Sequence, residues 1–106
     1  MTKFLIKASY TSEGVKGLLK TGGTYRKQAV EKAINDLGGK MEAFYFAFGE
    51  HDAYVLGELP DTVSGAALAL NVNASGLASV STTILLDPED IDKATKLSVN
   101  YRAPGT

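Results

Sequence analysis

Cysteine and tryptophan are missing from this sequence, and histidine occurs only once. Without cysteine there is no disulfide, no thiolate nucleophile and no Cys-ligated zinc or iron–sulfur centre. That usage fits a reducing, cytoplasmic setting. One histidine and scattered carboxylates fall short of a His-rich catalytic metal site. No cofactor is therefore expected, and a haem with His51 as its axial ligand is the one such group that the composition leaves open. Charge of either sign is also not in excess: 11 Lys and Arg stand against 12 Asp and Glu, a net of -1. Such a balance gives no field to draw nucleic acid or an anionic membrane, so neither is expected as a partner. Long apolar runs are absent as well. At the N-terminus only Phe4 to Ile6 run apolar before Lys7, far short of a signal-peptide core or a spanning helix.

What is present describes a folded protein of one domain, residues 1–106. Single cores commonly occupy about 100–150 residues, and 44% hydrophobic with 22% charged residues is ordinary globular composition. Lys3 to Tyr10 mixes aromatic, branched and polar residues as a strand does. A helix follows from a cap at Thr11 or Ser12 to about Lys20, with Val15, Leu18 and Leu19 on one face. Gly22 and Gly23 interrupt it, since two glycines inside a helix cost about 1 kcal/mol each relative to alanine. A second helix is expected after them, capped by Thr24. Its core stripe would be Ala29, Val30, Ala33, Ile34 and Leu37, with Arg26, Lys27, Glu31 and Lys32 left for water. Gly38 and Gly39 end it.

Two aromatic-rich runs, "KMEAFYFAFG" and "AYVLGEL", are separated by the polar "EHD" and predict an antiparallel hairpin. Alternation puts Phe44, Phe46 and Phe48 on one face and Ala43, Tyr45 and Ala47 on the other. Asp61 caps a helix from about Thr62 to Ala74, with Val63, Ala66, Ala67 and Leu70 expected to face the core. "LASVSTTILL" makes a fourth strand. Asp87 with Pro88 starts a short last helix, and residues 99–106 form a C-terminal arm. The order β-α-β-β-α-β plus a terminal helix is the α+β ferredoxin-like plan, with a four-stranded antiparallel sheet covered by helices on one face. The opposite face would leave an exposed apolar patch on a monomer. Self-association into a homodimer or higher oligomer, of the dimeric α/β-barrel type, would cover it.

Several residues carry candidate chemistry. His51 and Asp52, with Tyr45 on the neighbouring strand, offer a base, a carboxylate and a phenol. Adjacent residues on an extended strand point to opposite faces, however, and solvated turn residues with Asp52 bonding to backbone donors are the simpler reading. Tyr10, Tyr54 and Phe46 can line a cavity and stack on a flat apolar ligand. Asn71 and Asn73 form a polar cluster at a helix end, suited to capping or to ligand contact. The loop "KTGGT" with Arg26 and Lys27 has backbone donors for an anion but lacks P-loop spacing.

Taken in order, "ASYTSEGVKGLLKTGG", "GGKMEAFYFAFGEHDAYVLGELPD", "ALALNVNASG" and "YRAPG" resemble the GYD domain family over nearly the whole sequence. Where that family usually has Tyr before the turn aspartate, this chain has His51. The resemblance implies a dimeric α/β-barrel relative of the ferredoxin-like fold and hands over no reaction. Proteins of similar architecture range from cofactor-independent oxygenases and isomerases to haem-degrading proteins, so the fold alone does not choose. The expectation is an oligomer that binds a small apolar or aromatic molecule. The alternatives are a cofactor-independent monooxygenase or isomerase using His51 and a tyrosine, or a purely structural assembly module.

Overall fold

The computed structural model describes residues 1–106. Along the chain run β1 (Thr2–Tyr10), α1 (Ser12–Thr21), α2 (Gly23–Asp36), β2 (Lys40–Phe46), β3 (Ala53–Leu59), α3 (Thr62–Ala74), β4 (Ala78–Leu85) and α4 (Pro88–Ala94). The strands form one antiparallel sheet in the order β2-β3-β1-β4. This is the expected ferredoxin-like α+β fold, with the first crossover helix broken in two. No helix is long and apolar enough to cross a membrane.

Local chemistry accounts for most of the boundaries. The Thr11 side chain accepts from the Gly14 N–H and opens α1. Asp61 opens α3 by accepting from the Ser64 N–H and the Ser64 hydroxyl, both at 2.8 Å. These bonds, the backbone one first, hold the Asp61 carboxyl below the usual carboxylate range. At α4, Asp90 reaches back to the Asp87 N–H at 3.2 Å, closing a capping box. Between α1 and α2 the cap differs from the expected one. Gly22 donates to the Leu18 carbonyl at 2.8 Å and takes φ 85°, a conformation open to glycine. One such residue suffices to turn the chain, so α2 restarts at once at Gly23, and Thr24 falls inside its first turn rather than at its cap.

Alternation along the strands sorts the residues into two layers. Phe4, Ile6 and Ala8 of β1 pair with Gly57, Val55 and Ala53 of β3. All six are buried beneath the helices. Their core companions are Ile34 from α2, Met41 from β2 and Leu59 from β3. In β2 the register slips between Met41 and Ala43. With Glu42 as the extra residue of this bulge, Met41 and the next aromatics, Phe44 and Phe46, all turn to the helix side, which strict alternation forbids. Phe48 does not join them. Ala47 N–H bonds the Asp52 carbonyl and closes the hairpin, so Phe48 lies beyond the last pair and is 85% exposed.

The opposite layer carries Leu5, Leu56, Ala43, Tyr45, Tyr54 and Leu85, flanked by Lys3, Lys7 and Glu58. None of these is buried. From Leu86 to Thr106, through α4 and the C-terminal arm, every residue is exposed, and the chain measures 56 × 33 × 22 Å.

α3 is rotated from the expected orientation. Gly65 is buried and Leu68, Ala69 and Val72 are half-buried, whereas Val63 and Leu70 are 74% and 70% exposed and Ala66 is also exposed. Only Ala67 of the expected face is partly covered. The helix is apolar nearly all round, so its pattern does not select a side. Close approach selects it: a Cβ on Gly65 would sit 2.9 Å from the Phe4 ring. Gly65→Ala should therefore destabilise by about 1–3 kcal/mol through overpacking. Urea unfolding checks this, and an unchanged midpoint would mean that the Phe4 ring yields freely.

Candidate functional site

Between α2, α3 and the helix side of the sheet lies a cavity of about 150 Å³. Its existence follows from residue size. Ala8 and Ala53 on the strands face Ala29, Ala33 and Ala69 on the helices, and five methyl groups do not fill the space that two packed layers leave. Val30, Leu68, Val72, Val80 and Phe44 complete apolar walls, and 13 of the 15 lining residues are hydrophobic. A second, more polar cavity of about 360 Å³ adjoins it toward α1, lined in part by Thr21, Asn71 and Ser75. Tyr10, Arg26, Ala33, Leu68 and Val72 line both. These shared residues mark the junction.

Arg26 was expected in water, and the structure turns it inward. It precedes Val30 by four positions and Ala33 by seven, so it lies on the inward stripe of α2 and is half-buried, whereas Ala29, expected on that stripe, is exposed at its edge. Its guanidinium carbon is 6.0 Å from the centre of the Tyr10 ring. Its Nε is buried without a hydrogen-bond partner, and the ion pairs of the chain join other residues. Its charge points to the wet face of α2 or to an anion beside the "KTGGT" loop. The spacing to Val30 and Ala33 was the signal for its place.

Asp52 acts on the same region from the hairpin. Its carboxylate accepts from the Tyr10 N–H at 2.8 Å, and its own N–H donates to the Ala8 carbonyl at 2.8 Å. The aspartate thus continues the sheet past the last β3 pair and holds the residue that carries the Tyr10 ring. His51 goes elsewhere. Its Nδ1 lies 3.3 Å from the Ser9 hydroxyl, and its ring meets Tyr54 edge-on at 5.9 Å. Ser9 and Tyr54 belong to the bare layer, as does Tyr45, which pairs with Tyr54 and is 71% exposed. His51 and Tyr45 are therefore brought to one side of the sheet and the cavity to the other. No hydrogen bond joins His51 to Asp52.

Of the remaining candidates, Phe46 packs edge-on against Phe44 at 5.0 Å and lies under Gly23, supporting the cavity wall rather than lining it. Asn71 lines the outer cavity while donating to the Ala67 carbonyl at 2.8 Å. Asn73 accepts from the Val80 N–H at 2.9 Å, covering a donor on edge strand β4. No three His, Asp or Glu side chains cluster as metal ligands would.

The GYD domain family profile matches residues 4–95. The chain belongs to the GYD domain family. The matched span of this GYD domain takes in both cavities and the hairpin and leaves out the whole C-terminal arm. No curated protein and no solved structure matches it.

Asp52 and His51 should respond differently to truncation. Asp52→Ala strands the Tyr10 N–H and removes a charge-assisted hydrogen bond, costing about 1.5–3 kcal/mol. His51→Ala should stay within about 0.5 kcal/mol of the parent. Denaturant unfolding of the pair checks this, and a greater loss at His51 would reverse the two roles.

Proposed function

We propose that this GYD-domain protein binds one small, mainly apolar or aromatic molecule between α2, α3 and the sheet, and does so as a homo-oligomer joined across its bare sheet face. The cavity carries the binding half of this reading. It is apolar, bounded by regular elements on both sides, and sited where ligands of layered folds commonly lie. A filled interior would have favoured a purely structural module. An enzyme using His51 would have that side chain on the cavity wall, and it stands on the far side of the sheet.

The oligomeric half rests on the uncovered layer. Leu5 and Leu56 are register partners at its centre, surrounded by Ala43, Tyr45, Tyr54 and Leu85. A self-complementary contact of about 800 Å² per subunit is enough for a stable pair.

Toluene added to methyl-labelled protein should shift the Val30, Val72 and Val80 resonances in a saturable way. Val72→Phe, which fills the space, should abolish the response without unfolding the chain. Shifts confined to the bare layer would move the binding site there.

Native mass spectrometry at micromolar concentration should show more than one subunit, and Leu56→Lys should shift the population to monomer. A parent protein that is monomeric throughout would end the oligomeric half and leave the binding half standing.

A further inference from the structure

We infer that the ligand is a small organic acid: a monocarboxylate whose apolar part, about the size of one six-membered ring, fills the inner cavity and whose head group pairs with Arg26 at the junction. This rests on the binding reading above and specifies its chemistry.

Charge is the first argument. Neither cavity has an aspartate, glutamate or lysine in its lining, so Arg26 is the single charged group of the whole space. A guanidinium with a buried, unpartnered Nε and no ion pair is an unmet demand for an acceptor. A carboxylate answers it, because the planar fork of arginine matches two oxygens at once. The Tyr10 ring, 6.0 Å from the guanidinium, helps keep that fork in place.

Size and valence narrow the class. An apolar cavity of about 150 Å³ accommodates benzene, and the inner cavity has that volume. It would take a phenyl ring or a compact branched chain. A phosphate brings close to two negative charges and would face only one cation here, whereas a monocarboxylate balances it. The hydroxyls and amide of Thr21, Asn71 and Ser75 in the outer cavity then meet any polar extension beyond the acid group.

The test compares benzoate with benzamide, its neutral counterpart of the same shape, by calorimetric titration of the full chain. A hydrogen bond to a charged group is worth about 1.5–3 kcal/mol, so benzoate should bind about tenfold tighter or more. Arg26→Gln should remove that advantage and leave benzamide within about twofold, which also shows that the variant is folded. Arg26→Lys should recover only part. Should Arg26→Gln fail to fold, the parent still decides: rising ionic strength should weaken benzoate and not benzamide. Equal affinities, or a benzoate affinity indifferent to both salt and Arg26, would overturn the acid assignment while toluene binding upholds the cavity. If toluene, benzoate and benzamide all fail to bind, both conclusions fall.

Discussion

Side chains along a β-strand alternate between two faces, and the helices of this chain lie over only one of them. That single asymmetry organises the rest. Residues of the covered layer are selected for packing, and they bury Phe4, Ile6, Val55 and Leu59 against Ile34 and Met41. Residues of the other layer keep aromatic and branched side chains without any internal reason to do so. The two layers therefore differ in kind, one packed within the chain and one left uncovered by it.

Within the covered layer the packing is deliberately incomplete in energetic terms. Voids enclosed in protein cores cost about 24 cal/mol per Å³, and an apolar space that opens to solvent, as this one does beside the exposed Ala29 and Thr82, forgoes part of the same packing. Replacing one of the facing alanines by a larger residue would recover part of that. Lost packing of this kind weighs on a small domain's narrow net stability, and the proposed ligand would offset it. The same argument applies to the Arg26 Nε, whose missing partner is a further local cost. Two unsatisfied features meeting at one junction are better explained together than separately.

The sequence was most informative where local chemistry decides. The element order, the caps at Thr11, Asp61 and Asp87, the break near Gly22 and the two faces around Phe44 and Tyr45 could all be seen from neighbouring residues. It was least informative where a distant contact decides. The buried side of α3 depends on Gly65 meeting Phe4, and an almost uniformly apolar helix holds no internal record of that. Asp52 does bond a backbone donor, as its place beside a turn suggests, but which donor is not written locally: Asp52 and His51 are held by residues 42 positions away, Tyr10 and Ser9 respectively. Arg26 was misplaced because its charge suggested water, although its spacing put it on the inner stripe. The cavity itself was invisible, since alanines signal tight packing as readily as space.

The bulge at Glu42 decides the side of every residue that follows it in β2. Trimming Glu42 itself would leave Phe44, Tyr45 and Phe46 where they are, because Met41 and Ala43 would then alternate plainly, but straightening the bulge at unchanged length would reverse all three together. Aromatic rings would surface while a phenol went under the helices, a wholesale exchange that no single substitution matches.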